Sequence, residues 1–288
     1  MNLEKNYQRQ MSVKYYVGKL EKSHTKINIK EKNKMNPLVT YKKENEIAVI
    51  TIDNPPLNVM NQQIQKEMKE ITTKIKADDG VICVLLTSAG EKAFMAGADI
   101  KEFPQMIEDP DMREQVMFMH QMLNELEELP KPTIAVLDGL TFGGGCELAL
   151  ACDIRIAEEQ IQIGFPEINL GLFPGGAGTQ RLPRLIGEAK AKEMMYTGEP
   201  ITAAEAEKIG LVNRVVPNSE AYKTGMNLAL QITEKSLPAL SKIKQAVNDG
   251  MEVNLKEGIE KEATLFKEVF QTEDVQEGVE AFIEKKKA

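Results

Sequence analysis

An α/β fold built on a parallel sheet is predicted by three observations in the 288-residue sequence. Strand-like apolar runs alternate with stretches of helical periodicity. The run at residues 81–87 is continuously apolar, as in a strand covered on both faces. Strand, helix and strand also follow one another within residues 46–87, which implies a right-handed crossover. The chain is long enough for one large core, or for a main domain with an appendage. With 42% hydrophobic and 28% charged residues its composition is globular. A net charge of −8 argues against general nucleic-acid binding and leaves any anionic ligand to local positive groups. No apolar run approaches the roughly 18 residues of a membrane-spanning helix.

Residues 1–34 carry nine Lys or Arg against three Glu, a surplus of six positive charges that leaves −14 for the remainder. This leader lacks the apolar segment of a secretory signal and is rich in lysine rather than arginine and serine. It reads as a disordered extension or as sequence upstream of a start at Met35; a basic arm that binds RNA, making the chain a scaffold, is the alternative of a different class. Residues 46–52 then form a strand ended by Asp53-Asn54-Pro55-Pro56. Ile64, Met68, Ile71 and Ile75 give the next segment one apolar helix face. After the strand at 81–87, Ala93-Phe94-Met95-Ala96-Gly97-Ala98-Asp99-Ile100-Lys101-Glu102-Phe103 reads as an apolar, small-residue loop. Met112, Val116, Met119, Leu123 and Leu126 mark a further helix face, a methionine stripe suited to a core or a pocket wall. Leu129-Pro130-Lys131-Pro132 stops that helix.

A central strand at 133–137 leads to Gly143-Gly144-Gly145 and a short helix at 146–152. Such a turn is either a tight connection or a place where a ligand approaches bare backbone and the free amides of a helix start. No Lys-Ser or Lys-Thr follows the glycines and the G-x-G-x-x-G spacing is missing, which disfavours a phosphate cradle and a dinucleotide fingerprint. Two carboxylates raise the signal: Glu147 in the first helical turn and Glu167 behind Pro166. Acids converging on a donor-rich turn suggest proton transfer. A strand at 153–157 follows, then a second glycine-dense loop at 171–184. That loop is a hinge or wall against the site, or a direct ligand contact. Beyond the helix at 187–197, Thr202-Ala203-Ala204-Glu205 forms a capping box and the pattern stays helical to the end. Cys83, Cys146 and Cys152 lie in apolar segments without zinc spacing and read as buried thiols. His24 and His120 have surface or packing roles.

Taken together, the segments at 93–103, 143–153, 165–171 and 174–184 resemble the crotonase superfamily, and within it the enoyl-CoA hydratase/isomerase family, from about residue 39 to the C-terminus. The resemblance implies a crotonase-like ββα superhelix in the α/β class with a C-terminal helical oligomerisation region. The chain then divides into a leader at 1–36, a core with the active site at 37–200 and a helical trimerisation region at 201–288. It implies an oxyanion hole from the amides of Ala98 and Gly144, with Glu147 orienting and deprotonating a water and Glu167 handling the α-carbon proton. Coenzyme A contacts map onto Asn58, Val59, Met60, Ala96, Ala98, Asp99, Ile100 and Lys101; Lys101 faces either phosphate or solvent. Phe282 and Lys285 match positions a neighbouring subunit contributes in a trimer or dimer of trimers. The coenzyme A thioester is substrate, with no metal and no further cofactor expected, and the setting is cytoplasmic. The activity implied is hydration of a 2-enoyl-CoA; Δ3-Δ2 isomerisation, or hydration of a branched or dicarboxylic enoyl-CoA such as methylglutaconyl-CoA, are the alternatives. Two residues depart from the pattern: Asp138 where relatives more often carry asparagine, and Phe165 where hydratases often have glutamine.

Overall fold

The computed structural model describes residues 36–284; the leader to Met35 and Lys285 lie outside the described residues. Its main sheet is six-stranded, in the order β1 (Val39–Glu44), β2 (Ile47–Ile52), β3 (Cys83–Ser88), β5 (Thr133–Leu137), β7 (Ile154–Glu158) and β10 (Arg214–Val216). Only the edge pair β1 and β2 is antiparallel; the other neighbours run parallel. Parallel pairing demands crossovers, and α1 (Gln62–Lys76) supplies the first. Its start is capped by Asn61, whose side chain accepts from the Ile64 N–H at 2.9 Å.

Each central strand carries apolar residues on both faces. Ala48, Ile50, Val84, Leu86, Ala135 and Leu137 enter the larger core cluster. Their sequence neighbours Ile47, Val49, Cys83, Leu85, Ile134 and Val136 enter a second cluster, closed by Ala221 and Ala229. The period-two alternation thus feeds two cores at once, and the face at Leu85 and Val136 is covered by α8 (Ala221–Thr233).

A second sheet, of four short strands, was not legible in the residue pattern, although the ββα superhelix that the resemblance implies calls for it. It runs β4 (Ala93–Ala96), β6 (Leu140–Phe142), β8 (Gln162–Gly164) and β9 (Ile201–Thr202). The 93–103 stretch is therefore strand first and loop second. After β3, β5 and β7, each successive long strand is followed by a short one, and that repetition is the ββ unit of a crotonase-like superhelix. Helix α2 (Phe103–Glu108) and α3 (Met112–Glu127) follow β4, and α4 (Gly144–Leu150) follows β6. A 3₁₀ turn, Pro166–Leu170, follows β8.

The 171–184 stretch also differs from a plain loop, because α5 (Gly178–Ile186) begins inside it, with Pro183 in its interior. Then come α6 (Glu188–Thr197) and α7 (Ala203–Lys208), the latter capped by Thr202 as the capping box requires. A purely helical region from residue 201 onward is corrected: β9 pairs with β8 and β10 with β7, so both sheets extend past residue 200. Strands of two and three residues are too short for alternation to register. After β10 the chain is helical: α8, which covers the sheet, and then α9 (Leu237–Met251), α10 (Leu255–Val269) and α11 (Glu273–Ile283). Lys244 on α9 joins it to the sheet, donating to Asp153 Oδ2 at 2.8 Å, an oxygen that also accepts from the Thr133 N–H and hydroxyl. No helix among the described residues is long and apolar enough to cross a membrane.

Candidate active site

The site lies where β4, β6 and β8 run out. Beyond β6 the chain turns at Gly143, whose φ of 50° suits glycine. A side chain there would also meet Glu167: a Cβ would lie 2.6 Å from its Oε1. Gly144 then opens α4. A Cβ built on it would sit 3.8 Å from the Ala98 nitrogen, so the two segments that carry Ala98 and Gly144 are neighbours. The bridge between Met60 and Ala98 fixes this approach, with Met60 N–H donating to Gly97 O at 2.8 Å and Asp99 N–H to Met60 O at 2.7 Å. Neither the Ala98 nor the Gly144 N–H has an acceptor in the hydrogen-bond network of the described residues.

Glu147 points from the first turn of α4 into the protein and is 3% exposed, a burial a carboxylate tolerates only when its oxygens are satisfied. Its Oε1 accepts from the Gly176 N–H at 2.6 Å and the Gly178 N–H at 2.9 Å. Ala177 between them adopts φ 70°, ψ 17°, a left-handed conformation costly for a residue with a Cβ, and it is flanked by both donating amides. Burial pushes the Glu147 carboxyl above its ordinary range, while the amides of Gly178 and Gly176, and then the Arg181 charge, oppose that rise.

Glu167 contrasts with it. Its Oε2 is buried with no hydrogen-bond partner among the described residues. Burial first, and the Glu147 charge in addition, push its carboxyl up to about 7. A carboxyl that is desolvated and short of donors keeps its proton, whereas one gripped by two amides favours the charged form. Phe165, two residues before it, is completely buried, with its ring edge near Gly178. The arrangement therefore offers one base, one acid and two free amides around a single turn, the equipment for moving protons on a carbonyl compound.

Residues 42–288 match the family model described as enoyl-CoA hydratase/isomerase. The chain belongs to the enoyl-CoA hydratase/isomerase family. The short-chain-enoyl-CoA hydratase of Clostridium acetobutylicum is 43% identical over 250 residues, spanning 86% of this chain and 95% of that relative. The crotonyl-CoA hydratase of Syntrophomonas wolfei is 39% identical over 251 residues, spanning 87% and 96%. The crystal structure of an enoyl-CoA hydratase from Bacillus anthracis matches with a TM-score of 0.83 at 37% identity, covering 86% of this chain and 97% of that one.

For this member of the enoyl-CoA hydratase/isomerase family, the residues matched to coenzyme A contacts fall into three groups. Val59, Met60, Ala96, Ala98, Asp99, Ile100 and Lys101 lie on the two chain segments joined by the Met60 bridge, and Ala98, Ile100 and Lys101 are exposed. Asn58 differs. Its side chain is buried and spent within the protein, donating to Ala89 O at 3.0 Å and Ala93 O at 2.8 Å and accepting from the Asn54 N–H. It holds the loop rather than reaching outward. Phe282, on α11, is 84% exposed.

Sequence reasoning missed the clamp on Glu147, because a backbone amide leaves no side-chain signature. Asp138, the departure from asparagine, accepts from the Ser88 hydroxyl at 3.3 Å, and burial lifts its carboxyl to about 6. It ties the end of β3 to the bend between β5 and β6. The three cysteines are buried thiols.

Proposed function

We propose that this protein is a 2-enoyl-CoA hydratase, adding water across the C2=C3 bond to give a 3-hydroxyacyl-CoA in fatty-acid or related acyl-CoA degradation. The observation that carries the reading is the opposite disposition of two neighbouring carboxyls, Glu147 gripped by two amides and Glu167 with its buried Oε2 left without a donor, beside two amides free to bind an oxygen. The Ala98 and Gly144 N–H groups donate to the thioester oxygen as it takes on enolate charge, each worth about 3 kcal/mol in such sites. This withdrawal makes C3 electrophilic. Glu147, as carboxylate, orients a water and takes its proton as the oxygen bonds to C3. Glu167, as acid, gives its proton to C2 on the same face, so both new bonds form on one side. Passing the proton from Glu147 to Glu167 restores the pair. The coenzyme A thioester is the substrate and the proton moves use no further cofactor. A reducing, cytoplasmic setting suits three buried thiols.

Mixing the protein with a short trans-2-enoyl-CoA should remove the conjugated thioester absorbance, and no loss across chain lengths would defeat the reading. If a 3-enoyl-CoA instead yields conjugated product faster than water adds, the protein is an isomerase. The pH profile carries a sign. Glu167 works protonated, so kcat/KM should fall as pH rises through about 7, by about tenfold per unit beyond it. Glu147 works ionised, which sets the acid limb. A flat profile between pH 6 and 9 would remove Glu167 from the acid role.

We also propose that the protein is a homo-oligomer, a trimer or dimer of trimers, assembled through the helical end. Leu255 and Phe266 on α10, Phe270 at its C-terminal cap, and Phe282 and Ile283 on α11 stand exposed, more apolar surface than a monomer leaves to water without use. Light scattering at micromolar concentration should give three or six times the chain mass. A monomer mass would end this assignment.

A further inference from the structure

Arg181 sits in the first turn of α5, three residues beyond Gly178, and its N–H donates to Ala177 O at 2.9 Å. Its guanidinium reaches across to α3, where Nε and Nη2 donate to one oxygen of Glu127 at 3.0 and 2.6 Å and Nη2 also donates to Asn124 Oδ1 at 2.7 Å. The side chain is only 11% exposed. Its third nitrogen, Nη1, is buried with no hydrogen-bond partner among the described residues. A purely structural arginine usually meets carboxylate fork to fork and spends its donors; this one leaves a buried arm unspent. Its charge acts on Glu147 and on His120, one of the α3 residues near it. The other groups around Glu147 do not supply positive charge: the Glu167 carboxyl on the 3₁₀ turn, the Cys146 thiol beside it on α4, and Met119 from α3, whose Cε would lie 3.1 Å from a Cβ on Gly176.

We propose that Arg181 is a positioning residue for the hydration step: anchored to Glu127 and Asn124, it fixes the turn that presents the Gly176 and Gly178 amides and holds the Glu147 carboxylate in its charged form. This rests on the hydratase reading for its purpose but not for its test. Glu147 has exchanged water for two amides, and a cation close by offsets the remaining cost of burying its charge. Glu127, by neutralising part of that cation, sets how much of its field reaches Glu147. The two residues therefore act on Glu147 with opposite sign, which a scaffold pair would not do.

The decisive measurement is a carboxyl infrared titration of the full-length protein, with the Glu147 band identified by subtracting the spectrum of Glu147→Gln. In Arg181→Met the midpoint should rise, because the lost charge favoured the ionised carboxyl, and the acid limb of kcat/KM should rise with it. Arg181→Lys, which keeps the charge, should bring the midpoint back towards wild type. Glu127→Gln should move it the other way, to lower pH. An unchanged midpoint in Arg181→Met, or an upward shift in Glu127→Gln, overturns the inference. If Arg181→Met does not fold, Glu127→Gln decides alone: a downward shift supports it, and no shift or an upward one overturns it. The titration needs no turnover, so a wild type without hydratase activity would defeat the functional reading while this test still runs.

Discussion

Glu147→Gln is expected to lower kcat for hydration of a short trans-2-enoyl-CoA by about 10³-fold, and Glu167→Gln by 10²- to 10⁴-fold, the range that a positioned acid or base supplies. Both changes keep the size of the side chain. A glutamine at 147 can still turn its oxygen toward the Gly176 and Gly178 amides, which now grip Oε1 at 2.6 and 2.9 Å, so the clamp survives while the base is lost. At 167 the buried Oε2 has no partner to lose. Melting temperature should therefore stay within a few degrees of wild type, and KM should move far less than kcat. Because both carboxyls serve one water and one proton cycle, the double variant should be little worse than the poorer single one. Steady-state rates from the loss of thioester absorbance check all three. Singles that retain activity within about tenfold of wild type, or a double variant whose loss is the product of the two, would mean that the carboxyls do not act as a unit.

How much of this was legible in the sequence follows from how each feature is encoded. The helices and long strands announce themselves through side chains: Ile64, Met68, Ile71 and Ile75 recur on one face of α1, and all but Ile71 are fully buried. The acid pair was legible for the same reason, two carboxylates in apolar surroundings behind a glycine turn and a proline. The second sheet was not, because its strands are two to four residues long and alternation cannot be read over so few positions. The edge strand β1 hides differently. In Val-Thr-Tyr-Lys-Lys-Glu only Val39 is buried, and it pairs with β2 through backbone groups that its composition does not advertise. Helix α5 contains Gly178 and Pro183, both poor helix residues, yet Leu182 fills the core, Arg181 ties it to α3 and Gly178 abuts Glu147; tertiary contacts override propensity there. The clamp and the arginine behind it belong to the same class of hidden feature, because they depend on where a turn brings main-chain groups 29 and 31 residues from their acceptor.

Gly176→Ala is the substitution that tests the clamp without replacing either acid. A Cβ at this position would collide with Glu147 Oε2 and lie 2.8 Å from its Cδ. Something has to move, and the fixed partners leave little choice. The loop is held by Pro174, which is buried, and by the start of α5; Met119 Cε, 3.1 Å from the added Cβ, is the end of a flexible side chain and relieves only its own contact. The carboxylate is the group able to rotate, and rotation takes Oε1 away from one or both amides. A displacement of about 1 Å at a reacting group costs about 10²-fold in rate. Gly176→Ala should therefore lose about 10²-fold in kcat while still unfolding cooperatively close to the wild-type temperature. Loss of an amide donor also favours the protonated form of Glu147, so the acid limb of kcat/KM should move to higher pH. That shift separates a misplaced base from a blocked pocket, which would raise KM and leave the limb where it was. Wild-type kcat in Gly176→Ala would show that the amides fill space beside Glu147 and do not hold it.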